Sequence, residues 1–143
     1  MAIPSSWAAV GDVIGRSPYA EQLGISVEAV GEGHVRARLP YAARNTTLGD
    51  LVHGGALASV VDVAATAAAW CSEQLPANPR GTTVGFQIQF LSGARSEDVV
   101  VDARVVQRGN SLTIVEVDGH GADGRLVVKA LVTYKLSGSR SGR

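Results

Sequence analysis

The chain has 143 residues, 13 Lys and Arg against 13 Asp and Glu, 45% apolar residues and one cysteine. That length suits one domain over 1–143, with 1–20 as an N-terminal extension and 137–143 as a flexible tail; such a chain buries roughly two thirds of the surface its unfolded form exposes. The charge balance excludes a general pull towards nucleic acid or an anionic membrane, the apolar content excludes disorder outside the ends, and the lone Cys71 excludes an internal disulfide.

The N-terminus lacks the basic start, apolar middle and cleavage site of a secretory signal. The longest apolar run is broken by Asp62 and falls short of the ~20 residues that cross a bilayer, so a cytoplasmic location is expected. Trp7 to Ile14 has the composition of a short helix, and Pro18 to Leu23 leads into "ISVEAVGEGHVRARLPY". There, alternating apolar positions flank a Gly-Glu-Gly turn, which predicts a hairpin followed by a loop from Ala42 to Val52.

Gly54 to about Cys71 is the one long predicted helix, rich in Ala, with glycines before it and the breakers of "SEQLPANPRG" after it. Its small side chains would let a curved sheet wrap it closely. Four β-rich runs follow, at 82–92, 98–108, 112–121 and 126–136. The connections "SGARSE", "GNS" and "GADGR" are short enough for antiparallel pairing of successive strands. The order hairpin, helix, four strands is an α+β pattern of about six strands with one helix on the sheet.

The chemistry concentrates in "LVHGGALASVVDVAATAAAW", Leu51 to Trp70. Asp62 is the one charge in this run, and burying a carboxylate is costly unless it is paired. A helix starting near Gly54 leaves its first amides free at the positive end of its dipole. Gly54 and Gly55 carry no side chains that would keep a substrate carbonyl away. Asp62 lies seven residues after Gly55, on nearly the same face as Ser59 and Thr66 but about 10 Å further along the axis. It therefore cannot readily address a carbonyl at the start of its own helix. Two helices antiparallel across a two-fold axis would bring one subunit's amides to the other's aspartate, giving shared sites.

Asp62 also has a purely structural reading, as an acid satisfied by nearby hydroxyls. His53 faces away from Asp62, so it is expected to orient the loop or hydrogen-bond a backbone carbonyl rather than move a proton. It has no second His or Cys at ligand spacing, so no metal is expected. There is no Ser-His-Asp order, G-x-S-x-G elbow or phosphate loop. One carboxylate as general base or nucleophile, with amides for an oxyanion, is the minimum set for hydrolysing an activated acyl group.

On these residues the chain resembles a known family. "LGDLVHGGALASVVDVAATAAA" is similar to the helix motif of hotdog-fold acyl-CoA thioesterases of the PaaI-like type, in which His-Gly-Gly is followed by an acid nine residues after the His. The flanking segments resemble the same family over nearly the whole chain. The resemblance implies that Asp62 activates water, that Gly54 N–H polarises the thioester carbonyl from the partner subunit, and that Thr83 orients the water. It also implies that the turn Arg108-Gly109-Asn110-Ser111 lies along the nucleotide-bearing arm of coenzyme A, although an ordinary hairpin turn reads equally well there. The family's Asn six residues before the His is replaced by Thr47, with Asn45 two residues further away. Either Asn45 still reaches the carbonyl or that contact is missing.

The expectation is a homodimer, or a dimer of dimers, that hydrolyses a small aryl-acyl or medium-chain acyl-CoA with no metal or redox cofactor, and no residue of the sequence decides between the two acyl types. Two other readings remain. A non-catalytic acyl-CoA sensor should carry a DNA-binding appendage or have a DNA-binding partner, and no basic helix is present. A hotdog hydratase needs an Asp/His pair, whereas His53 and Asp62 lie on opposite helix faces.

Overall fold

A computed structural model describes residues 7–139. Two short helices, α1 (Trp7–Gly15) and α2 (Pro18–Leu23), precede a hairpin of β1 (Ser26–Gly31) and β2 (His34–Leu39). The expected loop contains a 3-10 turn at Ala43–Asn45 and leads into α3 (Gly54–Trp70). Then come β3 (Arg80–Phe90), β4 (Val99–Arg108), β5 (Leu112–His120) and β6 (Leu126–Ser137). α2 was not anticipated as a helix, yet its signals stand in the sequence. Pro18 is pre-set for a first helical position, and Gly24, at φ 73°, takes the left-handed conformation that ends the helix.

The strands form one antiparallel sheet in the order β1-β2-β4-β5-β6-β3. The row Val35, Ala103, Val117, Ala130, Ile88 crosses five of its strands on the face turned to α3. On the outer face the corresponding row runs Arg36, Asp102, Asp118, Lys129, and opposite charges meet there: Arg36 Nε donates to Asp102 at 3.1 Å and Lys129 Nζ to Asp118 at 2.8 Å. Polar outside and branched aliphatic inside is the alternation of a sheet with one solvated face. α3 presses Leu57, Val60, Val61, Ala64 and Ala68 into the concave side, and the small side chains bring its axis close to the sheet.

One expected pairing is corrected. The "GNS" and "GADGR" connections do join neighbours, but "SGARSE" does not: β3 pairs with β6, and both edges of β4 are taken by β2 and β5. The β3–β4 connection instead crosses the end of the sheet, held to the loop before α3. Val52 N–H donates to Ala94 O at 2.9 Å, Ser96 N–H donates to Asp50 O at 3.1 Å, and Arg95 pairs with Asp50. Short sequence separation could not reveal that crossing. Ser137 closes β6, and Ser139 bonds to Ala77 and Asn78, so the expected tail is anchored at its start; its last residues, 140–143, lie outside the described residues.

Candidate active site

α3 begins at His53, whose extended backbone (φ −66°, ψ 136°) turns the chain into the helix. Its imidazole Nδ1 accepts from Gly55 N–H at 2.7 Å, and its carbonyl accepts from Ala56 and Leu57 N–H at 2.9 and 3.2 Å. His53 is thus a helix cap, and its ring accepts from a backbone N–H where a bond to a backbone carbonyl was expected. The expectation that both glycine amides face a substrate is revised accordingly. Gly55 N–H is committed to His53, and Gly54 N–H is the amide with no acceptor among the described residues.

Asn45 is buried behind this turn. Its carbonyl accepts from His53 N–H at 2.8 Å and its side-chain nitrogen donates to Leu23 O at 3.3 Å, so it ties α2 to the start of α3. Thr47 N–H closes the loop on Leu51 O at 2.9 Å.

Asp62 is half-buried on α3, and Thr83 Oγ1 donates to its Oδ1 at 2.7 Å. A bulge between Thr83 and Gly85 lets Thr83 face inward while the next inward residue is Phe86, opposite Val132. Sequence reasoning named both partners, 21 residues apart, and the sheet brings them together. The hydroxyl fixes one carboxylate oxygen and leaves the other to bind a water or a substrate group. Asp62 stands eight residues beyond Gly54, about 12 Å along the axis, so one protomer does not bring them together.

Three aromatic residues that the sequence did not single out complete the surroundings. Tyr134, on β6 opposite Thr83, is buried, and its hydroxyl accepts from Trp70 Nε1 at 2.8 Å. Burial raises the Tyr134 pKa, Trp70's hydrogen bond opposes the rise, and the negative charge of Asp62 adds to it. Tyr19 of α2 reaches Ser59 on α3, hydroxyl to hydroxyl at 3.0 Å, while Ser59 donates to Gly55 O at 2.7 Å.

Arg108 is turned inward: its Nη1 donates to Ala69 O at 3.1 Å, placing a cation at the negative end of α3, and burial lowers its pKa. Gly109 and Asn110 are exposed; Gly109 N–H bonds Leu112 O at 2.8 Å, and Ser111 O accepts from Leu136 N–H at 2.8 Å. Cys71 is buried beside them with its thiol pushed up to about 11. Among the described residues no group of three or more His, Cys, Asp or Glu side chains is placed to hold a metal, and no helix is long and apolar enough to cross a membrane.

One long helix lying on an antiparallel sheet, with a carboxylate on its open face and a capped glycine turn at its start, is a hotdog thioesterase architecture. The model of the Thioesterase superfamily matches residues 49–128, and the chain belongs to that family. It is 29% identical over 114 residues to acyl-coenzyme A thioesterase 13 of Homo sapiens, covering 78% of this chain and 79% of that one. Among solved structures it is similar to a thioesterase family protein from Silicibacter pomeroyi (26% identity, 94% of this chain and all 100% of that one, TM-score 0.85). It is similar also to thioesterase superfamily member 2 of zebra fish (25% identity, 94% and 100% coverage, TM-score 0.80). The chain is a thioester hydrolase.

Proposed function

We propose that the protein hydrolyses acyl-CoA thioesters in a homodimer whose two sites are shared between subunits. The observation that carries this reading is the Asp62–Thr83 contact of 2.7 Å on the open face of α3. Asp62 takes a proton from water as the water oxygen attacks the thioester carbonyl. Charge that develops on the carbonyl oxygen is met by Gly54 N–H of a second copy, at the positive end of that copy's helix. The tetrahedral species collapses with cleavage of the C–S bond, the thiolate takes up the proton, and a carboxylic acid and free coenzyme A leave. Thr83 holds the carboxylate in position throughout. The segment of exposed Gly109 and Asn110 and half-buried Ser111 takes the nucleotide-bearing arm, while Arg108 stays on the helix end.

The 12 Å between Gly54 and Asp62 supports a second copy, and β3 supplies a surface for it. Among the described residues β3 is an edge strand paired only with β6, and Val84, Phe86, Phe90 and Leu91 are exposed. Joining two β3 edges would continue the sheet and lay the two α3 helices side by side, antiparallel.

The test is thiol release from a panel of acyl-CoAs by the wild type and Asp62→Asn, both confirmed folded. Turnover that falls by about 100-fold or more in the variant is expected for loss of a general base. Tight acyl-CoA binding without turnover in either protein would turn the reading to a binding protein.

A further inference from the structure

We propose that Trp70, pinned by Tyr134, is the stop that limits how long an acyl group the site accepts; this rests on acyl thioesters being bound at Asp62. At 100° per residue, Gly55, Ser59, Asp62, Thr66 and Trp70 fall within about 80° of one another around α3. None of the five is buried, whereas the opposite side of the helix is. The two ends of this open stripe differ. Towards the helix start, Ser59 is bonded to the Tyr19 hydroxyl, so that end is polar and crossed by α2. Towards the helix end, Thr66 is followed one turn later by the Trp70 indole. An apolar acyl group is better accommodated at the aromatic end.

That end is closed by design of the backbone around it. Tyr134 pairs with Thr83 across β3 and β6, and its hydroxyl leans over Gly81, the inward residue two positions before Thr83. A Cβ at Gly81 would lie 2.2 Å from the Tyr134 hydroxyl, so only glycine leaves room for the phenol. The buried phenol accepts from Trp70 Nε1 at 2.8 Å, which ties the indole to β6 at the end of the stripe. Trp70 lies eight residues past Asp62, about 12 Å along the axis. Allowing about 2 Å of van der Waals radius at each end leaves roughly 8 Å, the length of about six carbons or of a phenyl ring on a short stem.

The test is kcat/KM for straight-chain acyl-CoAs from acetyl to palmitoyl, measured on the wild type, Trp70→Ala, Trp70→Phe and Tyr134→Phe, with Asp62→Asn as the background. The wild type should fall off past about six carbons. In Trp70→Ala the decanoyl-to-butyryl ratio of kcat/KM should rise at least about tenfold, because the indole no longer fills the end. Tyr134→Phe keeps both rings and removes only the anchor, so it should blur the fall-off, as should Trp70→Phe. Each ratio is taken within one protein, so partial unfolding does not mimic the shift. A wild type with no fall-off, or an unchanged ratio in the variants that fold, overturns the stop. If Asp62→Asn matches the wild type on every chain, it is the hydrolytic reading that fails instead.

Discussion

At the scale of single residues the proposed site rests on one short contact, Thr83 Oγ1 to Asp62 Oδ1 at 2.7 Å. A hydrogen bond to a charged group contributes about 1.5–3 kcal/mol. Thr83→Val, which keeps the shape and removes the hydroxyl, is therefore expected to lower kcat by roughly 10- to 100-fold with KM little changed. Thr83→Ser should retain most of the rate, and steady-state kinetics on one acyl-CoA separates the two outcomes. Cys71 is a second residue with a readable signature. Burial holds its folded pKa near 11 against a reference of 9.0, so the unfolded chain ionises first as pH rises. Its contribution to stability is complete below about pH 9 and is lost as pH climbs towards 11, by about 2 kcal/mol at the upper limit. Urea melts of wild type and Cys71→Ala across that window should converge; parallel curves would show that the thiol is not the titrating group.

At the scale of elements, α3 was legible because Ala raises helix propensity, and Gly and Pro mark its ends. The hairpin was legible from its alternation and its Gly-Glu-Gly turn. The position of β3 was not, since strand propensity says nothing about which neighbour a strand chooses. Its partner β6 became available only because β4 lies between β2 and β5. The Asp62–Thr83 pair was legible from motif and family likeness, whereas Trp70 and Tyr134, 64 residues apart, carry no local signal of their contact. The cap at His53 is a property of the element and is tested as one: His53→Ala should cost about 1 kcal/mol, read as a fall of roughly 3 °C in Tm. The strand core is tested at Gly119 of β5. There a Cβ would come within 2.5 Å of Val128 Cγ1 and 3.0 Å of Val101 Cγ1, so Gly119→Ala should destabilise by about 1–3 kcal/mol in chemical melts.

At the scale of the whole molecule, the proposed sharing of sites between two copies makes a prediction that one protomer cannot mimic. Gly54→Pro removes the free amide hydrogen while suiting a first helical position. The extended backbone of His53 already fits a residue before proline, and the nearest side-chain atom to a Cβ at residue 54 is Phe90 Cζ at 3.5 Å. Gly54→Pro and Asp62→Asn should each be nearly inactive alone. Mixed and allowed to exchange subunits, they should recover about a quarter of wild-type turnover, because half of the dimers are mixed and each holds one intact site. No recovery on exchange, with mixed dimers shown by mass, would place the whole site within one protomer. The pairing of β3 with β6 alone also bears on how the chain is made. Residues 91–125 separate the two strands, so a ribosome adding about 5–20 residues per second leaves the apolar β3 without its neighbour for roughly two to seven seconds. That interval is when a nascent chain is most open to sticking to others, and slow translation between β3 and β6 would lower the yield of soluble protein without changing a single contact in the finished fold.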